Sequence, residues 1–189
     1  MYFCIAGLLD DVSQNEIRKK TLRILRQYGL SVTALLLPQH VSLKISFSTD
    51  RVDDLVGYFD ELCLNYQPVQ VDFQNLEVIA IEDLGTKSGL LWYNARENYA
   101  LRKIHNQLNN DLPPLLGIVN SNIDGDGFRF HSTIVYGQKT YQAYQEIHQA
   151  IASEFGEVST RIDKLAIFCC AEDAIVAGKF FTYRIRHLT

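Results

Sequence analysis

The stretch "FRFHSTIVYG", residues 128–137, sets a histidine two residues before a hydroxyl at the head of an apolar run. Side chains on a strand alternate between its faces, so Arg129, His131 and Thr133 share one face. Phe128, Phe130, Ile134 and Tyr136 are left for packing. Upstream, "HVSLKISF", residues 40–47, repeats the device: His40, Ser42 and Lys44 point one way, and Val41, Leu43 and Ile45 the other. At a strand rise of about 3.3 Å per residue, each histidine–hydroxyl pair spans about 6.6 Å, which brackets one phosphate group. "HLT", residues 187–189, also fits the pattern, but no strand continues from it and chain ends fray, so it is set aside.

Working outward, both stretches occupy the same place in a recurring order of elements. "MYFCIAGLL" predicts a strand, and "DDVSQNEIRKKTLRILRQYG" a helix with its cap at Ser13, a Glu three residues on, and a stop at Gly29. "LSVTALLLP" and "HVSLKISF" predict neighbouring strands broken at Pro38, followed by a helix with Val52, Leu55, Val56, Phe59 and Leu62 on one side. "PVQVDFQNLEVIAIE" predicts one or two strands. The second half runs "GLLWYNA" as a strand, "ENYALRKIHNQLNND" as a helix ended by "LPP" at 112–114, then the polar turn "NSNIDGDG" and the second histidine strand. A helix over "TYQAYQEIHQAIASEFG" and closing strands "VSTRIDKLAIFCC" and "KFFTYRIRHL" complete it. The order strand, helix, histidine strand, helix, strand therefore occurs twice, with no linker between the halves. That predicts an α+β fold of two similar lobes, and hairpin-compatible connections favour antiparallel sheets.

The bulk numbers narrow the classes. A chain of 189 residues with 47% hydrophobic and 21% charged residues is an ordinary globular composition. The net charge of −4 is wrong for a protein that grips duplex DNA through many phosphates. No apolar run reaches membrane-spanning length, and "MYFCIAGLL" lacks a basic leader, which points to a cytoplasmic protein with no membrane partner. Cys4, Cys63, Cys169 and Cys170 contain no C-x-x-C and predict reduced thiols rather than disulfides or a zinc site. "DGDG" at 124–127 lacks the ligand spacing of a calcium loop and reads as a glycine-rich turn. His105 and His148 read as surface or structural, and "RKK" at 18–20 as a solvated helix face.

Imidazole titrates near pH 6.5, so two of them suit paired acid–base work. One accepts a proton from a hydroxyl or water, and the other protonates the departing oxygen. Hydroxyls of Ser42 and Thr133 donate to non-bridging phosphate oxygens, and Lys44 and Arg129 add positive charge on the same faces. Nothing in this scheme requires a metal or a cofactor. Trp92 and Tyr93, adjacent on a strand, face opposite ways, so one can stack a nucleobase while the other packs in the core. For either histidine alone, a strand-end residue bonded to backbone is the plainer reading; the matched context favours the functional one.

With these residues in view, the chain resembles the two-histidine (2H) phosphoesterase superfamily, in particular its 2'-5' RNA ligase and cyclic nucleotide phosphodiesterase branch. "HVSL" and "HSTI" look like that family's paired H-x-[ST]-x motifs, at a similar separation, and the likeness extends over essentially the whole chain. "GLLWYN" resembles its central strand. The resemblance implies one two-lobed domain over 1–189, of bilobal pseudo-twofold form, with two mainly antiparallel sheets flanked by helices around a central groove. It implies catalytic His40 and His131, phosphate-binding Ser42 and Thr133, and metal-independent hydrolysis of 2',3'-cyclic phosphate nucleotides or RNA ends. A 2'-5' ligase-type transfer, cleavage of 2'-5' links and a non-catalytic nucleotide- or RNA-end-binding module are the alternatives, and a monomer is favoured. The chain departs from the family pattern in carrying polar Ser132 where an apolar residue is common, which predicts weaker packing behind that strand.

Overall fold

A computed structural model of the chain describes residues 1–83, 86–172 and 179–189. Almost every aliphatic or aromatic run read as a strand pairs in a sheet. In chain order the elements are β1 (Tyr2–Leu9), α1 (Asp11–Tyr28), β2 (His40–Ser48), α2 (Val52–Leu64), β3 (Val69–Asp83), β4 (Thr86–Ala95), α3 (Tyr99–Leu116), β5 (His131–Thr140), α4 (Tyr141–Ile151), β6 (Val158–Cys170) and β7 (Phe181–His187). The strand order is β2-β1-β6-β3-β4-β5, with β7 paired to β6. Every pairing is antiparallel.

The two expected sheets are the two wings of this one sheet. β2-β1-β6 carries His40, β3-β4-β5 carries His131, and they join where Val69–Phe73 of β3 pairs with Val158–Ile162 of β6. Past that seam the same edge of β6 takes β7 instead, from Lys164 opposite His187 to Cys169 opposite Phe181. β2 and β5 are the two ends of the path, yet they lie against each other. The sheet therefore curls until its two histidine-bearing strands meet. One face packs on a continuous core that includes Phe3, Ile5, Val41, Leu43, Leu91, Tyr93 and Ile134. The other face carries a small apolar floor of Ala6, Leu8, Ala166 and Phe168.

Three local expectations change. Helix α1 is capped by Asp10, whose carboxylate accepts from the Ser13 backbone N–H at 2.9 Å; Ser13 lies inside the first turn, and Gly29 ends the helix at φ 62° as its left-handed cap. "LSVTALLLP" is not a strand but a 3-10 turn over Val32–Leu35. Ser31 Oγ accepts from Thr33 N–H, and the Arg18 guanidinium takes the carbonyls of Leu35 and Leu37, both at 2.8 Å. Backbone groups held that way are not offered to a ladder. It also makes Arg18 a structural clasp rather than part of a solvated face. Helix α3 runs through Pro113 and Pro114 to a cap at Gly117. Proline costs a helix the bond to the carbonyl four residues back. Here the Asn120 side chain donates to the freed Asn109 carbonyl at 2.8 Å and fills that gap.

Candidate active site

The two histidine strands share a defect that periodicity does not reveal. On β2, His40 pairs with Leu8 and Ser42 with Ala6, but Lys44 pairs with Ile5, so Leu43 is an extra residue. On β5, His131 pairs with Asn94 and Thr133 with Trp92, but Val135 pairs with Leu91, so Ile134 is extra. A bulge of this kind moves the residues just after it to the opposite face, until the next shift in the ladder, which comes before Phe47 on β2 and between Tyr136 and Thr140 on β5. Leu43 and Lys44 both turn to the core, as do Ile134 and Val135. Ile45 and Tyr136, expected to pack inside, rejoin the histidine face and line a cavity of about 330 Å³ with His40, Ser42 and Thr133. Cys4 and Phe180 also contribute to its lining, as do Leu37, Pro38 and Gln39 of the segment before β2.

Each imidazole is fixed in the same way. His40 Nδ1 lies 2.8 Å from the Pro38 carbonyl, and His131 Nδ1 lies 2.8 Å from the Arg129 carbonyl. A carbonyl only accepts, so both Nδ1 atoms carry the proton and both Nε2 atoms hold the basic lone pair. Neither Nε2 makes a hydrogen bond among the described residues. The plain backbone-bonded reading and the functional one thus describe opposite edges of one ring. The rings differ in their neighbours. His131 stacks face to face on Trp92, centroids 3.6 Å apart at 13°, whereas His40 meets Phe168 edge-on at 4.8 Å.

Burial disfavours the charged form of both rings in the free protein. Burial pulls the His40 imidazole below its ordinary value, against the bond to Pro38. Burial also pushes His131 down, to about 4, helped by the charges of His40 and Arg129 and opposed by the bond to the Arg129 carbonyl. His40, Ser42 and Thr133 line the cavity, whereas His131 is not among its lining residues. Arg129 stands over Trp92 with its carbon 5.7 Å from the ring centroid, and its guanidinium is paired with Glu77 and bonded to Asn94.

Lys44 is a correction. The bulge takes it off the histidine face, and with 1% of its side chain exposed it donates to Asn109, Asn120 and Asp124 at 2.6, 2.7 and 2.6 Å. It offers nothing to a phosphate in the cavity. Tyr93 is also core: buried, stacked on Phe73, with its hydroxyl bonded to the Gly156 carbonyl. Of the adjacent pair, only Trp92 is on the histidine face, and His131 occupies one side of its ring. His105 is wholly buried, bonded through Nδ1 to the Leu43 carbonyl and through Nε2 to the Gly125 N–H.

Sequence reading missed Gln39. It is buried beside His40 and accepts at 2.9 Å from the hydroxyl of Ser132, the residue after His131. Ser132 therefore does not weaken its strand; it ties the two histidine strands together from behind. Ser132→Ala strands the Gln39 oxygen in the interior, and the expected loss of stability is about 1–3 kcal/mol by urea denaturation. A loss below a few tenths of a kcal/mol would show the tie to be idle.

The sequence profile of the 2'-5' RNA ligase superfamily matches residues 10–171. No curated protein matches the chain by sequence. Among solved structures, the TT0787 protein of Thermus thermophilus is 11% identical at a TM-score of 0.62, covering 100% of this chain and 98% of that one. LigT of E. coli complexed with 3'-AMP is 12% identical at 0.51, covering 99% and 97%. LigT complexed with NADP+ is 12% identical at 0.50, covering 99% and 96%. At these identities the structural likeness speaks for the fold.

Proposed function

Because the chain belongs to the 2'-5' RNA ligase superfamily of two-histidine phosphoesterases, we propose that it opens 2',3'-cyclic phosphates of nucleotides or RNA ends, with His40 and His131 as its acid–base pair. The supporting observation is the matched fixing of two imidazoles, each with Nδ1–H on the carbonyl two residues before it and each with Nε2 unbonded. Lone pairs held in that orientation suit one Nε2 to take a proton from water and the other, once protonated, to deliver one to the departing ribose oxygen. Water attacks phosphorus as the bond to the 2' or 3' oxygen breaks, and the two proton transfers balance. Ser42 and Thr133, whose hydroxyls make no hydrogen bond among the described residues, donate to the non-bridging oxygens. A nucleotide is a reasonable ligand class, since LigT, which shares the fold, has been solved with 3'-AMP and with NADP+.

The matched profile also supports a second reading, transfer to a ribose hydroxyl to make a 2'-5' link. The nucleophile changes but the imidazoles do not. Product analysis on an oligonucleotide with a cyclic phosphate end separates the two.

The pH profile tests the pair. The reaction needs one imidazole neutral and one protonated, and in the free protein both are depressed, His131 to about 4. The profile of kcat/KM reports the free protein, so its optimum lies on the acid side of the ordinary imidazole value of about 6.5. A bound phosphate anion favours imidazolium, so the kcat profile is displaced to higher pH. Among charged groups, Arg129 and His40 oppose protonation of His131, and Glu77 offsets Arg129. Steady-state rates on a 2',3'-cyclic nucleotide from acid to alkaline pH, with and without chelator, provide the measurement. A kcat/KM optimum above about pH 8, or activity abolished by chelator, would refute this use of the pair.

A further inference from the structure

We infer that Trp92 is a positioning residue: its indole holds the His131 imidazole in the plane that directs Nε2 at the substrate. The inference rests on the phosphoesterase reading and adds to it a residue that acts through the histidine.

The backbone fixes the His131 ring at one point. Nδ1 is tied to the Arg129 carbonyl at 2.8 Å, and the working Nε2 lies on the far edge of the ring. A ring held only at Cβ and at one nitrogen can tilt, and the tilt displaces that far edge most. The two histidines meet this problem differently. Phe168, wholly buried in the apolar floor of the sheet, abuts His40 edge-on at 4.8 Å. His131 has the indole instead. On the ladder Trp92 stands opposite Thr133 and His131 opposite Asn94, so Trp92 and His131 are diagonal neighbours on one face. Their ring centroids lie 3.6 Å apart at 13°, face to face with little lateral offset. Trp92 is itself set between Thr133 on β5 and Glu77 on β3.

The form of the stack says which state of His131 it serves. Two neutral rings prefer an offset or edge-on arrangement to a full face-to-face one. An imidazolium above the electron-rich indole face is attracted to it. In paired acid–base chemistry each imidazole carries the extra proton at one stage, and at that stage Trp92 both fixes the ring and favours its charge. The charged groups around the ring pull in opposite directions: His40 and Arg129 oppose the imidazolium, and Glu77 is paired with Arg129. A nucleobase platform, the other use of a half-exposed aromatic, is poorly served here. One indole face is taken by His131, and Trp92 is not among the residues lining the cavity beside His40, Ser42 and Thr133.

Steady-state kinetics of the full chain on a 2',3'-cyclic mononucleotide compare the wild type with Trp92→Phe, Trp92→Leu and Trp92→Ala. Misplacing a reacting group by about 1 Å can cost about 10²-fold, so the Leu and Ala variants should lose about 10- to 100-fold in kcat with KM changed by less than about threefold. Trp92→Phe restores a flat ring and should bring kcat back to within about fivefold of the wild type. Leucine refills the volume without a face, so its failure to rescue separates positioning from packing. Proton NMR reads the stack directly. The His131 ring protons, identified by their loss in His131→Ala, should lie upfield in the wild type under the indole ring current and move downfield in Trp92→Leu. A Trp92→Leu kcat within about threefold of the wild type overturns the positioning role, as does a KM raised about tenfold at unchanged kcat, the mark of a base platform. His131 ring protons that do not move overturn it as well, and all three results leave the phosphoesterase reading standing. No turnover of any cyclic mononucleotide by the wild type overturns that reading, and this inference with it.

Discussion

His131→Ala and His40→Ala each lower kcat on a 2',3'-cyclic nucleotide by about 10²–10⁴-fold, the range supplied by a positioned general acid or base. The physical ground is that each imidazole spends Nδ1 on its own backbone and has only Nε2 left for chemistry, so no neighbouring group shares its task. Phosphate contacts are assigned to Ser42 and Thr133, which both variants keep, so KM changes far less than kcat. The double variant should be only slightly worse than either single one, because the two groups act on one transition state and their effects do not add. The variants also resolve which ring does what. Loss of the base removes the acid limb of the pH profile, and loss of the acid removes the alkaline limb. The limb that survives therefore names the role of the histidine that remains. Full activity in either variant would end the two-histidine mechanism.

Legibility in the sequence followed the range of the forces involved. Strands and helices were readable because alternation and the 3.6 period are local: β1, β2, β5, α1 and α2 fall where the apolar pattern puts them. The four residues proposed for chemistry and phosphate binding, His40, Ser42, His131 and Thr133, were readable for the same reason, since each pair precedes its bulge. Everything decided by pairing with another strand was not. Uninterrupted alternation puts Lys44 on the histidine face and Tyr136 in the core, and the extra residues Leu43 and Ile134 invert both placements. The signal was faint but present: a lysine between Leu43 and Ile45 fits no continuous strand well, and both bulges fall at the same distance from their histidines. The Gln39–Ser132 tie joins residues far apart in the chain, and no local pattern announces it. The stop expected at Pro113 failed because Asn120, beyond the helix, supplies the missing donor.

Lys44→Met gives the second large effect, on stability rather than chemistry. Lys44 and Asp124 have 1% of each side chain exposed, and their ion pair joins β2 to the loop that leads into β5. Removing the ammonium leaves a buried carboxylate whose Oδ2 keeps only the Ser121 N–H, while Oδ1 has no partner at all among the described residues. Breaking one side of such a pair costs about 3–5 kcal/mol, because the abandoned charge still bears its desolvation penalty. Lys44→Met with Asp124→Asn removes that charge while retaining an oxygen for Ser121, so the double variant should regain more than half of the loss. Urea denaturation of the wild type, the single variant and the double variant measures both steps. The alternative use of Lys44, as a phosphate ligand, makes the opposite prediction: unchanged stability, a raised KM, and no rescue by Asp124→Asn. The loop is also held by Arg102, which donates to the Gly125 and Phe128 carbonyls at 2.7 Å each. It should therefore loosen without detaching, and kcat should fall only modestly at temperatures where the variant remains folded. A loss under about 1 kcal/mol, or a double variant no more stable than the single one, would mean that this buried charge is not what fixes the approach to His131.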